Sequence, residues 1–213
     1  MKVQIVVFDG FDELDAVAPY EVFSMSAGAG ASLAVDYVVL GEPRTVVARH
    51  GLLMTVNRTW DPEASGIHFI PGGNWGDADK PGVRAEIADG KIAKCLAAVP
   101  GPGRIVASVC TGAMLLAAAG LTTGRRATTH RAAREDLVRA GADLVDARVV
   151  DDGDLVTAGG ITSGLDLALW LVEREFGAYI AHRVSRGLEY ERSDDVRTAD
   201  DSTLMQATTS EGR

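Results

Sequence analysis

The chain has 213 residues, 46% of them hydrophobic and 24% charged, which suits an ordinary globular protein of one large α/β domain or two small ones. Its formal net charge is −9 and it carries no basic stripe, zinc-finger spacing or helix-turn-helix signal, so the composition argues against nucleic-acid binding. Two cysteines, Cys95 and Cys110, are too few for a disulfide framework, and no apolar run approaches the about 18 residues that span a bilayer, which leaves the cytoplasm as the expected compartment and no membrane partner.

Val3–Phe8 is a compact apolar run that ends at Asp9-Gly10, the pattern of a buried first strand meeting a turn rather than of a cleaved leader. From Asp12 the apolar residues Leu14, Val17, Ala18, Val22 and Met25 recur at three- and four-residue steps, which predicts a helix with Pro19 inside it as a point of kinking. Ala34–Leu40 reads as a second strand. Val46–Ala48 and Leu52–Val56 read as a hairpin about Arg49-His50-Gly51. Gly66–Ile70 is a short strand stopped by Pro71-Gly72-Gly73, and Val83–Val99 has helical period up to the Pro100–Gly103 breaker cluster.

Arg104–Val109 is another strand, Thr111–Ala119 a helix of small residues ending at Gly120, and Arg131–Ala140 a helix ending at Gly141. Val145–Val150 and Leu155–Ala158 predict a hairpin about Asp152-Gly153; Ile161–Phe176 and Ala178–Leu188 predict two helices. Strands alternating with helices point to an α/β three-layer sandwich, a flavodoxin-like, mostly parallel sheet with helices on both faces. The expected organisation is a single domain over residues 1–190 followed by a polar, loosely held tail over 191–213.

The stretch that carries chemistry is Arg104-Ile-Val-Ala-Ser-Val-Cys-Thr-Gly-Ala, in which a strand ends, a thiol follows, and a helix begins at once. A nucleophile so placed sits on a sharp turn, a nucleophile elbow, above the carboxyl edge of the sheet. The helix N-terminus behind it favours thiolate over thiol, and its N–H groups can hold an anion that develops on a substrate. A buried cysteine acting as a small hydrophobe fits the local pattern equally well. For Cys95, in a helical run with Ile92, Leu96 and Val99, the packing role is the expected one.

Four segments together resemble the ThiJ/PfpI superfamily, of the class I glutamine amidotransferase-like kind: Ile70–Gly76 (Ile-Pro-Gly-Gly-Asn-Trp-Gly), Ser108–Ala113 (Ser-Val-Cys-Thr-Gly-Ala), Gly124–His130 (Gly-Arg-Arg-Ala-Thr-Thr-His) and Ala158–Asp166 (Ala-Gly-Gly-Ile-Thr-Ser-Gly-Leu-Asp). Within it they are similar to the isocyanide hydratase branch. The resemblance implies that Cys110 is a nucleophile and that Asp15, of the Leu14-Asp15 pair, shuttles its protons. By residue pattern alone, Asp15 belongs instead to a capping box opened by Asp12. The resemblance further implies that the backbone N–H groups of Gly73 and Thr111 face the reacting centre, with Gly72 beside them. Gly159-Gly160-Ile161 resembles the turn that packs against the cysteine's helix near the family's dimer interface, which implies a homodimer and makes Ile161 part of the substrate-binding set.

Many hydrolase-like members follow the cysteine with histidine; here Thr111 stands in that place, so no adjacent base exists. His130 is the other candidate base, with a helix-start role equally open, while His50, His68 and His182 read as structural. No histidine or carboxylate spacing suits a metal, and no cofactor is expected. The resemblance implies an enzyme, a hydro-lyase that converts an isocyanide to an N-substituted formamide through a covalent thioimidate. The alternatives are hydrolysis or glyoxalase-like chemistry on a small carbonyl compound, and a non-enzymatic redox sensor working through Cys110.

Overall fold

The computed structural model describes residues 1–199; residues 200–213, part of the expected tail, lie outside the described residues. The chain runs β1 (Lys2–Val6), α1 (Glu13–Gly28), β2 (Ala34–Val38), β3 (Arg44–Val47), β4 (Leu53–Val56), β5 (Gly66–Ile70), α2 (Val83–Asp89), α3 (Lys91–Leu96), β6 (Arg104–Val109) and α4 (Ala113–Ala118). It continues through β7 (Arg126–Ala127), α5 (Arg134–Arg139), β8 (Asp143–Leu144), β9 (Val149–Asp151), β10 (Leu155–Ala158), α6 (Ser163–Phe176), α7 (Ala178–Gly187) and β11 (Val196–Thr198).

Seven strands form one sheet in the order β11-β9-β10-β6-β5-β1-β2, in which only the β9–β10 pair is antiparallel. Helices α1, α6 and α7 pack together as one layer, and α2, α3, α4 and α5 as the other. The middle strands are buried on both faces, which is why β5 and β6 read as largely apolar runs, interrupted by His68 in one and Ser108 in the other. Valines, isoleucines and Phe8, Phe11, Phe23 and Phe69 fill the two interfaces between sheet and helices. The three-layer α/β sandwich expected from the alternation of elements is the observed architecture.

Register decides where the loops meet. In the parallel ladder Ile70 pairs with Ser108, while β10 places Thr157 against Ser108 and Ala158 against Val109. The carboxyl ends of β5, β6 and β10 are therefore level. The turns that leave them, Pro71–Gly73, Cys110–Gly112 and Gly159–Thr162, converge at one edge of the sheet.

Several local expectations are corrected. The run Val83–Val99 is not one helix: Gly90, at φ 73°, ends α2 and opens α3, because a left-handed residue cannot continue an α-helix. Cys110–Gly112 and Arg131–Ala133 are 3₁₀ turns that precede the short α4 and α5. The β9–β10 hairpin begins at Val149 rather than Val145, and the small parallel pair β7–β8 carries no sequence signal strong enough to be read. The tail expected from residue 191 is held at its start, where β11 adds to the sheet edge parallel to β9.

Pro19 lies inside α1 without ending it. A proline removes the hydrogen bond to the carbonyl four residues back, here that of Asp15, and its ring lies 3.5 Å from the nearest point where a Cβ on Gly164 would stand. The helix bearing Asp15 and the start of α6 are thus in direct contact.

Candidate active site

Cys110 follows the last residue of β6 and holds φ 57°, a left-handed conformation that is rare for a side-chain-bearing residue. Its backbone is fixed on both sides. Its N–H donates to the Gly159 carbonyl (2.8 Å), and its carbonyl accepts from the Thr129 hydroxyl (2.8 Å) and the His130 N–H (3.3 Å). The residue is 5% exposed.

Asp15, fully buried in the first turn of α1, stands beside it. Its Oδ2 accepts the Gly72 N–H at 3.0 Å, while Oδ1 is buried without a geometrically complete hydrogen bond. Asp12 is the residue that caps α1, its Oδ1 accepting the Leu14 N–H at 3.3 Å. Asp12 is thus the cap that the capping-box reading expects, but its N–H donates to the Gly72 carbonyl (3.0 Å) and not to Asp15, so the return bond of a capping box is not made.

Burial, reinforced by the Asp12 charge, pushes the Asp15 carboxyl up to about 8; the Cys110 thiol, the Gly72 amide and the Arg49 guanidinium pull the other way. Burial and the Asp15 charge push the Cys110 thiol up to about 12, against hydrogen bonds to the sulfur from the Ile161 and Thr111 amides. The expectation of a sulfur ionised by a helix end is corrected here. The turn after Cys110 is 3₁₀, α4 has six residues, and desolvation outweighs so short a dipole. The two groups titrate as a coupled pair, the carboxyl giving up its proton before the thiol.

The glycine turn is built for close approach. A Cβ on Gly72 would stand 2.6 Å from the Thr111 nitrogen and 2.8 Å from both Asp15 Oδ2 and Thr111 Oγ1. One on Gly112 would stand 2.4 Å from the Ile70 carbonyl oxygen. The Gly73 N–H, expected to face the reacting centre, donates to Thr111 Oγ1 at 3.0 Å, and the same hydroxyl donates to the Gly73 carbonyl at 3.0 Å. Thr111 ties the glycine turn down and does not bond Asp15. The amides that do reach the sulfur are those of Thr111 and Ile161.

Ile161 holds φ 35° and forms part of the wall of a cleft of about 400 Å³, with Thr129, His130, Gly160, Thr162 and Ser163. A second cleft, about 580 Å³, opens beside the β3–β4 hairpin and includes Gly10, Arg49 and Asn74. Cys110 lines neither directly; it lies behind the Ile161 turn. Arg49 was not singled out from the sequence because its hairpin turn reads only as a turn. It bonds the Phe11 carbonyl through its N–H (2.8 Å) and lies 3.6 Å from the Asp12 carboxylate.

His130 is the N-cap of the 3₁₀ turn Arg131–Ala133: its Nδ1 accepts the Ala132 N–H at 3.1 Å, so Nε2 carries the proton of the neutral ring. Burial and the charges of Arg131 and Arg49 lower its affinity for a second proton. Two of the other histidines are bound elsewhere: His50 to Glu13, and buried His68 between Trp60 and the Ala64 carbonyl. Cys95 packs half-buried against the core. Among the described residues no group of three or more His, Cys, Asp or Glu is placed to hold a metal ion, and no helix is long and apolar enough to cross a membrane.

A mostly parallel α/β sandwich that presents a cysteine at a strand-to-turn junction, beside a buried carboxyl from its first helix, defines a class of protein. Comparison with known proteins identifies it: the chain belongs to the DJ-1/PfpI family, whose model matches residues 1–174. It is 32% identical to the isonitrile hydratase of Pseudomonas putida, over 100% of this chain and 89% of that one. It is 30% identical to a deglycase of Pyrococcus horikoshii, over 83% of this chain and 97% of the other. Among solved structures, a ThiJ/PfpI family protein from Pseudomonas syringae superposes with TM-score 0.77 at 27% identity, covering 90% of this chain and 76% of that one. The DJ-1 of Schizosaccharomyces pombe, at 22% identity, shares the fold with TM-score 0.75 over 90% of this chain and 100% of its own. The relatives named for hydration and deglycation show that this family includes enzymes.

Proposed function

We propose that the protein hydrates isocyanides to N-substituted formamides, with Cys110 as nucleophile and Asp15 as the group that moves protons. The observation that carries this reading is a buried carboxyl beside a buried thiol with no histidine available as base: position 111 is threonine, and the His130 Nδ1 is spent on a cap. An isocyanide asks for no stronger base. Its terminal carbon is electrophilic, sits at the end of a linear group narrow enough for a nearly closed site, and must gain a proton as it gains sulfur.

The reactive form is the pair with one proton. The Cys110 thiol passes its proton to the Asp15 carboxylate as sulfur attacks the isocyanide carbon, and the carboxyl delivers that proton to the same carbon, giving R–N=CH–S–Cys110. Water then adds to that carbon; one of its protons reaches nitrogen by way of the Asp15 carboxylate. The tetrahedral adduct, R–NH–CH(OH)–S–Cys110, expels sulfur as its hydroxyl proton passes through Asp15 to the thiolate, leaving R–NH–CHO and the starting pair. The Thr111 and Ile161 amides support the negative charge on sulfur at both ends of the cycle.

The test is incubation with a simple alkyl or aryl isocyanide, with formamide followed by chromatography, beside a methylglyoxal arm. Formamide production lost in Cys110→Ala supports the proposal. Turnover of methylglyoxal alone favours the carbonyl chemistry suggested by the deglycase relatives. The proposed assembly is a homodimer: Leu14 and Val17 on α1 and Leu52 and Leu53 on the hairpin are exposed apolar residues, and Glu13 links the two elements through His50.

A further inference from the structure

Ile161 is β-branched and occupies a backbone conformation that L side chains avoid, so the structure around it must hold it there. The residue that does so from the side is Arg148, just before β9. Its carbonyl accepts the Gly159 N–H at 2.9 Å, and its Nη2 lies 3.3 Å from the Thr162 hydroxyl, so it grips the turn on both sides of Ile161.

Arg148 is itself immobilised by Asp166, whose side chain is wholly buried in the first turn of α6. The Asp166 carboxylate takes Arg148 Nε at 2.8 Å and Nη2 at 2.6 Å, the Tyr190 hydroxyl at 3.0 Å and the Ser193 N–H at 2.9 Å. A buried charge so fully bonded is rigid rather than strained. Asp195 adds a last tie, accepting the Arg148 N–H at 2.9 Å. On the opposite side of the turn, a Cβ at Gly160 would meet the His130 ring at 2.6 Å, so the turn is confined there too.

We propose that Arg148, anchored by Asp166 and by the segment Tyr190–Asp195, is a positioning residue that fixes the Gly159–Thr162 turn so that the Ile161 amide faces the Cys110 sulfur. The inference rests on Cys110 as the reacting group and not on the identity of its substrate.

Amide hydrogen exchange by NMR tests it on the full chain. In Arg148→Ala, exchange at Ile161 is expected to quicken by about tenfold or more, while Ile67 and Val156 in the sheet keep their wild-type rates. Arg148→Lys, which keeps charge but not the two-pronged grip on Asp166, is expected to fall between. Thr162→Val, an isosteric change at an exposed site, is expected to give about twofold or more even where Arg148→Ala does not fold. On any substrate that the wild type turns over, the variants are expected to lose kcat at unchanged KM. Unchanged exchange at Ile161, acceleration shared equally by Ile67 and Val156, or full kcat with a loosened turn overturns the inference. Failure to turn over an isocyanide leaves the exchange result standing, so the two readings fail separately.

Discussion

The N–H of Ile161 reaches the sulfur of Cys110, and both residues hold left-handed backbone, φ 35° and φ 57°. Two disfavoured conformations of about 1–3 kcal/mol each meet at one atom, on turns that leave adjacent parallel strands. Beside that junction lies a carboxyl whose hold on its proton is raised by burial.

The role of Asp15 is open to a direct kinetic test. Asp15→Asn keeps the size of the side chain and an acceptor for the Gly72 N–H but removes the proton carrier. Turnover of isocyanide is expected to fall on the order of 10²–10⁴-fold, mostly in kcat. In the wild type, kcat/KM is expected to rise with pH toward about 8 as the pair loses its first proton, and the Asn variant is expected to lack that ionisation. A variant with wild-type kcat would remove Asp15 from the reaction.

Stability should follow pH in a defined direction. The folded Asp15 carboxyl titrates at about 8 against an ordinary value of 3.8, so between these limits the native state binds more protons than the unfolded chain. Its contribution to stability is present below about 3.8 and is lost as pH rises through about 8. Melting temperatures measured from pH 5 to pH 8 are expected to show Asp15→Asn gaining on the wild type as pH rises. A constant difference would mean that Asp15 is ionised throughout.

Thr111→Val separates the hydroxyl from the amide. The variant retains its N–H toward the sulfur but leaves the Gly73 N–H and carbonyl without their partner, at an expected cost of about 1–3 kcal/mol by chemical denaturation. Gly72→Ala is expected to be harsher for activity, because its methyl group would displace Asp15 or Thr111. Activity near wild type in Gly72→Ala would show that the turn yields freely.

Ending the chain after Tyr190 removes β11, Ser193 and Asp195. The melting temperature is expected to fall by several degrees, since each 1 kcal/mol corresponds to about 2–4 °C in a domain of this size. An unchanged value would mean that the edge strand adds nothing.

The proposed dimer is checked by sedimentation. Leu53→Glu, placing a charge on the exposed hairpin, is expected to shift the mass toward that of a monomer while leaving the melting transition cooperative. A wild type that sediments as a monomer ends that proposal.

The order of strands and helices was legible because apolar patterning survives without knowledge of contacts: the short apolar runs at Val3–Phe8, Gly66–Ile70 and Arg104–Val109, each bounded by turn residues, fall on β1, β5 and β6. The break at Gly90 was not, since a single glycine inside a helical period announces its left-handed angle only once α2 and α3 have separate places to pack. Cys110 stood out through its position after a strand, and Asp15 only through family resemblance. Arg49, Arg148 and Asp166 gave no separate signal, because their partners lie 18 to 37 residues away or in another element.

Local periodicity and the junction at Cys110 thus determined, from the sequence alone, an α/β sandwich with a thiol at the end of a strand. Tertiary structure decided the state of that thiol. Ionisation depends on what surrounds a group in space, and here desolvation and a carboxyl from the first helix outweigh the short helix end that the sequence displays. It also decided which amides face the sulfur, since the parallel register alone brings the turn after β10 level with the turn after β6.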